Sequence, residues 1–403
     1  MTDAKTGSRK RMLLTTARDV LADMVALRRD LHANPELGGK EQRTAGIVAS
    51  RLRALGASVR DGIAGTGVVG VISGARPGPC IAVRADMDAL PIEDRKDVEY
   101  RSRVPGVMHA CGHDGHVAML LGVAKILKAL SGEFSGSVKL IFQPAEEGPG
   151  GAEPMIKGGV LSDPDVSAVV STHIWPDLPT GVVAVRSGPV MAAVDGIDIT
   201  IRGEGGHGAA PHRSVDAIVV AAQAIMALQT IASRQVNPVD PMVLTIGTIS
   251  GGYRHNVIAD EVRMSGTLRT LNPALRKTVP GIIDRTLAGV TQSAGGTYEF
   301  TRTPGYPALI NDETVASVIA ESAKRLLGKR HVIEEIEPSM GGEDFAYFLQ
   351  EVPGAMFMLG AGNPSKGAKY PAHHPRFDFD EDAMANGVAL MVDVVLELLQ
   401  RGT

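Results

Sequence analysis

The 403-residue sequence is poor in several things, and each shortage narrows what it does. Cysteine occurs twice, as Cys80 in a strand-like run and as Cys111 in a polar cluster, so a disulfide framework is excluded and a reducing cytoplasm is the expected location. Cys111 is then available to a metal or as a nucleophile. Lys and Arg form no concentrated stripe and the formal net charge is only -4, which gives no electrostatic footprint for nucleic acid or an anionic membrane. The most apolar segments, 217–228 and 388–399, are read as too short and too interrupted to span a bilayer. The N-terminal stretch has a basic start, but Arg18, Asp19 and Asp23 break its apolar residues at helical spacing, so it reads as a surface helix rather than a signal peptide.

Core material, by contrast, is ample. Apolar residues make up 44% of the chain, charged residues 21%, and 47 glycines with 24 prolines supply turns, the profile of a folded protein. At this length two domains are expected. From residue 41 to about 190 short β-rich runs alternate with helical ones: strands at 66–73, 80–86, 137–143 and 167–174, with an apolar-faced helix at 116–132. Near residue 196 the texture changes, as Ile197, Ile199 and Ile201 alternate with Asp198, Thr200 and Arg202 in the manner of a sheet with one wet face. The β-α-β-β-α-β order that follows is the ferredoxin-like plan. The expected architecture is therefore α/β: a mixed-sheet catalytic domain with helices on both faces (1–190 and 304–403) and an inserted ferredoxin-like α+β domain (191–303).

Chemistry-bearing residues gather at strand ends. "DMD" follows 80–86, "PAEE" follows 137–143, and His173 closes 167–174. Ligand sites of open α/β sheets lie outside the carboxyl ends of the strands. Asp86, Asp88, Glu146, Glu147 and His173 are thus directed to one crevice, with Cys111 and His113 in the loop before the next helix. Thiolate, imidazole and carboxylate converging in a loop-built crevice suit a divalent metal. The bland reading, a helix start capped by Asp114, leaves the other strand-end clusters unexplained. In "FQPAEEGPGG" proline and glycine turn two adjacent carboxylates in different directions, so that one can bind metal while the other carries protons.

The series "HANPELGGKEQRTA", "RADMDALPI", "MHACGHDGHVAMLLG", "IFQPAEEGPGGAEPMIKGGV", "THIWPDLPTG", "GGHGAAPH", "SMGGEDFAYF" and "HHPRFDFDE" resembles, in order over residues 32–380, the motifs of the aminoacylase and carboxypeptidase metallohydrolase family. It is most similar to the amidohydrolase branch, which includes hippurate hydrolases, indoleacetyl-amino-acid hydrolases and N-acyl-amino-acid deacylases. The resemblance implies two divalent metal ions, Mn²⁺ or Zn²⁺ with Co²⁺ as a further option, bound by Cys111, His113, Glu147, His173 and a histidine of "HHP", His373 or its neighbour His374. It implies Glu146 as general base and Asp88 as the carboxylate that orients the site. Asp86 is read equally as a strand-end hydrogen-bond acceptor. The inserted domain would act as lid and dimerisation unit, with His207 stabilising the oxyanion at a neighbouring subunit's site and Asn256 and Arg269 contacting substrate; a homodimer or higher homo-oligomer follows.

The implied reaction is hydrolysis of the amide in an N-acyl amino acid or related compound by a metal-activated water, with Glu146 moving the proton. Rival readings are a thiol hydrolase using Cys111 with His113 as base, a non-catalytic binding protein on the same scaffold, and a carbamoyl-amino-acid hydrolase of the same family.

Overall fold

The computed structural model describes residues 2–402 and divides into two compact units, each with its own core. One comprises Met1–Gly188, Ile310–Glu337 and Tyr347–Thr403; the other comprises Pro189–Leu309 and Pro338–Ala346. The short return segment of the second unit, Pro338–Ala346, carries no periodicity that would have marked it in the sequence.

In chain order the first unit opens with helices α1 (Thr2–Asp19), α2 (Leu21–Ala33) and α3 (Gln42–Ala54). Strands β1 (Ser58–Ile63), β2 (Gly67–Ser73) and β3 (Arg76–Asp86) follow, then α4 (His113–Ala129), β4 (Ser135–Gln143), β5 (Val166–Pro179) and β6 (Val183–Ala184). The second unit supplies β7 (Ala193–Arg202), α5 (Ala217–Arg234), β8 (Met242–Gly251), β9 (Glu261–Thr270), α6 (Pro273–Ala294) and β10 (Thr297–Pro304). The chain then returns with α7 (Glu313–Leu327), β11 (Val332–Ile333), β12 (Gly354–Gly362) and α8 (Ala383–Arg401).

The first unit is built on an eight-stranded sheet of order β1-β2-β4-β3-β5-β12-β6-β11. Its centre is parallel, β4 with β3, β3 with β5 and β5 with β12, while β1, β2 and β6 join antiparallel. Alternate residues of the central strands, such as Ile81, Val83 and Ala85, Val138, Leu140 and Phe142, share one core with α1 to α4, α7 and α8. On the opposite face Lys139 is buried and donates to the carbonyls of Ser162 and Pro164, so the segment after β4, which includes the six-residue helix Ala152–Lys157, covers that side.

Two expectations are corrected here. The N-terminal segment is two surface helices rather than one, each exposed on one face and packed into the core on the other: Leu13, Ala17, Val20, Met24, Leu27 and Leu31 are buried, and so is Arg28. The two apolar segments belong to helices of 18 and 19 residues, Ala217–Arg234 and Ala383–Arg401, long and apolar enough to cross a membrane by length and composition. Burial accounts for the apolarity of α8, which is packed into the first core, whereas α5 lays Val220, Ala221, Ala224, Leu228 and Ile231 on the second core and leaves Ile218, Val219 and Met226 exposed.

The second unit is a four-stranded antiparallel sheet of order β8-β9-β7-β10 with α5 and α6 on one face, the ferredoxin-like plan. Ile197, Ile199 and Ile201 face the helices, and Arg202 on the wet face bridges Glu261 and Glu299.

Candidate metal centre

The centre lies in the first unit, where β3 and β4 end side by side at the paired residues Asp86 and Gln143. The next loop out of β4 turns sharply at Ala145, whose φ of 54° is in the left-handed region. Buried Glu41 holds that turn, accepting the amides of Ala145 and Gly39 at 2.9 and 3.0 Å and the Thr66 hydroxyl at 2.6 Å. Gly38 must be glycine for the same reason: a Cβ there would stand 2.6 Å from the Gly148 carbonyl. Asp88 then takes the backbone N–H of Glu146 on one oxygen and that of Glu147 on the other, both at 3.0 Å. Two adjacent carboxylates are thereby fixed from one anchor.

Helix α4 begins at His113, preceded by Gly112 at φ 93°, and Asp114 lies inside its first turn rather than capping it. Asp114 instead faces inward to Arg28 at 3.0 Å and His32 at 2.7 Å. Arg28, fully buried, also binds Asp378 at 2.7 Å and Glu381 at 3.1 Å, and so ties α4 to the segment that carries His373. Those two acids and Asp114 drive the Arg28 pKa well above its ordinary value against the opposing effect of burial.

Cys111, His113 and His173 bring three donor atoms within 4.8 Å of one another, and Cys111, Glu147 and His373 do the same, as do His113, Glu146 and Glu147. Two donor triads therefore share one thiol. Cys111 Sγ is 3.5 Å from His173 Nε2, and His373 Nε2 is 3.0 Å from Glu147 Oε1. Each imidazole is oriented by its other nitrogen: His113 Nδ1 donates to the Asp88 carbonyl at 3.0 Å and His173 Nδ1 to the Ile174 carbonyl at 2.7 Å. His113 Nε2 is left buried with no hydrogen-bond partner. A buried, orphaned ring nitrogen beside a thiol and a carboxylate is what a bound cation would satisfy, and the donor set suits one.

The electrostatics agree. Burial pushes the Cys111 thiol well above its ordinary range, and burial with His116 beside it pushes His173 down to about 3. Burial opposes a charge on His113, yet Asp86, Asp88 and Cys111 together raise it well above the usual imidazole value. Without metal the centre holds protons that a cation would displace.

Of the two candidate histidines, the structure brings His373 to the cluster, at φ 65° with its amide on the Ala110 carbonyl. His374 stacks on Tyr370 at 4.4 Å and its Nδ1 accepts the Arg376 amide. Asp86 is a hydrogen-bond acceptor, for Arg84 Nη1 at 2.7 Å and His116 Nδ1 at 2.6 Å. In the second unit His207 is exposed, pairs with Val257, and accepts the Ala209 amide on Nδ1, which leaves the proton on Nε2. Asn256 adjoins it, its carbonyl accepting the Gly208 amide, while Arg269 lies on β9 opposite Val194 and donates to the Met340 carbonyl. Glu41, Arg28, Arg84 and His116 were not singled out from the sequence.

Residues 82–397 match the model of the peptidase family M20/M25/M40. The chain is 46% identical over 294 residues to an N-acyl-L-amino acid amidohydrolase of Geobacillus stearothermophilus, covering 73% of this chain and 79% of that protein. It is 44% identical over 368 residues to thermostable carboxypeptidase 2 of Saccharolobus solfataricus, covering 90% and 92%. Among solved structures, the YXEP protein of Bacillus subtilis, described as a dinuclear metal-binding peptidase of the M20 family, superposes with a TM-score of 0.84 at 35% identity over 95% of this chain and 99% of that one. The chain belongs to the M20/M25/M40 peptidase family, as one of its amidohydrolases.

Proposed function

We propose that the protein hydrolyses the amide bond of N-acyl amino acids, with two divalent ions held by Cys111, His113, Glu147, His173 and His373 and with Glu146 as general base. The supporting observation is the pair of donor triads that share Cys111, next to a second glutamate anchored on the same Asp88 carboxylate. When bound, the ions supply Lewis-acid polarisation of the amide carbonyl and acidify water at the site. Glu146 takes the proton of the attacking water and returns it to the departing nitrogen, which leaves as a neutral amine. His207, with Nε2–H exposed, is the proposed oxyanion donor, and Asn256 and Arg269 the proposed substrate contacts, an arginine being matched to a carboxylate. Thiolate and imidazole favour Zn²⁺, and the carboxylates equally admit Mn²⁺ or Co²⁺.

The thiol-hydrolase reading gains nothing from the geometry: a nucleophilic cysteine needs a lowered pKa, and burial moves Cys111 the other way. We also propose a homodimer formed through the second unit, because edge strand β8 has no charged residue and α5 exposes Ile218, Val219 and Met226. A monomeric sedimentation value would refute it. A reducing cytoplasm is proposed from two free, buried cysteines, and cell fractionation tests it.

The test is a metal-reconstituted assay across N-acetyl, N-benzoyl and longer N-acyl amino acids together with dipeptides. Turnover is expected on N-acyl amino acids, abolished by chelator, and reduced roughly 10²- to 10⁴-fold in Glu146→Gln with metal content unchanged. An inert wild type on every amide overturns the proposal, and an active Glu146→Gln removes Glu146 from its role.

A further inference from the structure

Strands β3 and β5 part at the metal centre. Their register ends at Arg84↔Ser171, although β3 continues to Asp86 against β4, and β5 continues to Pro179 against β12. His173 lies on the stretch of β5 that has lost its β3 neighbour. Into this gap α4 inserts His116, 2% exposed, which accepts the Ile174 amide N–H on Nε2 at 2.8 Å. A nitrogen that accepts an amide carries no proton, so the ring proton is on Nδ1, where it meets Asp86 Oδ1 at 2.6 Å. The other Asp86 oxygen takes Arg84 Nη1 at 2.7 Å, and Arg84 Nε donates to Gln143 Oε1 at 2.9 Å. One line of hydrogen bonds thus joins the ends of β4 and β3 and the start of α4 to the middle of β5 at Ile174.

Ile174 is held on both sides by this arrangement. Its N–H goes to His116, and its carbonyl accepts the Nδ1–H that orients His173. The His116 and His173 rings also meet edge to face, centroids 4.8 Å apart. Asp86, His113 and His116 are close enough together to suggest a further cation site, but both nitrogens of His116 are already committed and neither has a lone pair to give.

We infer that His116 is a positioning residue for the metal centre: by accepting the Ile174 amide in the gap between β3 and β5 it sets where His173 presents Nε2. The inference rests on the proposed metal centre and assigns His116 neither a ligand's nor a base's role. Its two contacts separate by substitution. In His116→Gln the amide oxygen reaches the place of Nε2 and still receives the Ile174 N–H, whereas in His116→Asn the amide N–H still reaches Asp86 and the Ile174 contact is lost.

The experiment is Co²⁺ titration of the metal-free full-length proteins, followed by visible absorption and the thiolate-to-cobalt band of Cys111. His116→Gln is expected to bind within about threefold of wild type and His116→Asn about 10- to 100-fold more weakly. Binding by His116→Asn at wild-type strength, or equal losses in both variants, overturns the inference. Should His116→Asn fail to fold, the Gln variant decides alone, a loss of about tenfold or more in folded protein being the overturning result. A wild type that takes up no cobalt overturns the metal-centre reading itself and the inference with it, and is distinguished by being seen before any variant is compared.

Discussion

At Asp88 one carboxylate determines where two others begin. Its oxygens each accept an amide at 3.0 Å, from Glu146 and from Glu147, and its own carbonyl accepts from His113 Nδ1. The proposed base and two proposed ligands therefore depend on a residue that need touch neither metal nor substrate. Asp88→Asn keeps the size of the side chain but turns an N–H₂ toward one of the two amides, leaving a buried donor without an acceptor. The expected cost is about 1 to 3 kcal/mol of stability and roughly 10- to 100-fold in metal affinity. Urea denaturation and metal titration of the variant measure the two, and an unchanged metal affinity would show that the glutamates are placed without Asp88.

Among the elements, the first turn of α4 shows most clearly what could and could not be read from the sequence. The donors of "CGHDGH" were legible because their chemistry is rare and their strand-end neighbours repeat it. The glycines were not, since their reason is a neighbour remote in sequence: a Cβ on Gly115 would stand 2.6 Å from both Ile174 Cδ1 and Phe379 Cζ. The same blindness hid Arg28, whose helix "LRRDLHA" looks solvated until the chain brings Asp114, Asp378 and Glu381 around it. Periodicity, by contrast, gave β7 and α5 to α6 nearly whole, because alternation along one segment needs no remote partner. Edge strand β1, "SVRDGI", was missed because it lacks such alternation. Gly115→Ala gains about 1 kcal/mol of helix propensity, but two sub-van-der-Waals contacts cost about 1 to 3 kcal/mol, so a net loss is expected. Thermal melting of the metal-free variant at or above the wild-type midpoint would contradict the close approach.

For the whole molecule, sensitivity to mild acid is carried by buried histidines of the first unit. Buried His109 and His173 of the first unit are both pushed down to about 3, chiefly by burial, and His116 is lowered for the same first reason. The second unit's histidines, His207, His212 and His255, are all exposed. An unfolded histidine titrates near 6.5, so below that pH the unfolded chain binds more protons than the folded one, and stability falls with falling pH. The contribution is complete above about 6.5 and is lost as pH drops toward 3. His113 and His373 are raised instead, so their contribution is already complete below about 6.5 and does not oppose the loss. Trp175, the one tryptophan in the sequence, lies on β5 and reports the first unit alone. In metal-free protein its fluorescence should report an unfolding free energy, from urea titration, that falls between pH 6.5 and 5.0 by up to about 2 kcal/mol for each of His109 and His173. His109 isolates one share of this. Neither of its ring nitrogens has a hydrogen-bond partner, so His109→Leu removes an unsatisfied buried ring and is expected to be neutral or stabilising at pH 7. It should also reduce the acid loss by about one histidine's worth. A pH dependence of Trp175 unfolding identical in His109→Leu and wild type would mean that His109 does not remain neutral inside the fold, and the account of acid sensitivity would then fall to His173 and His116.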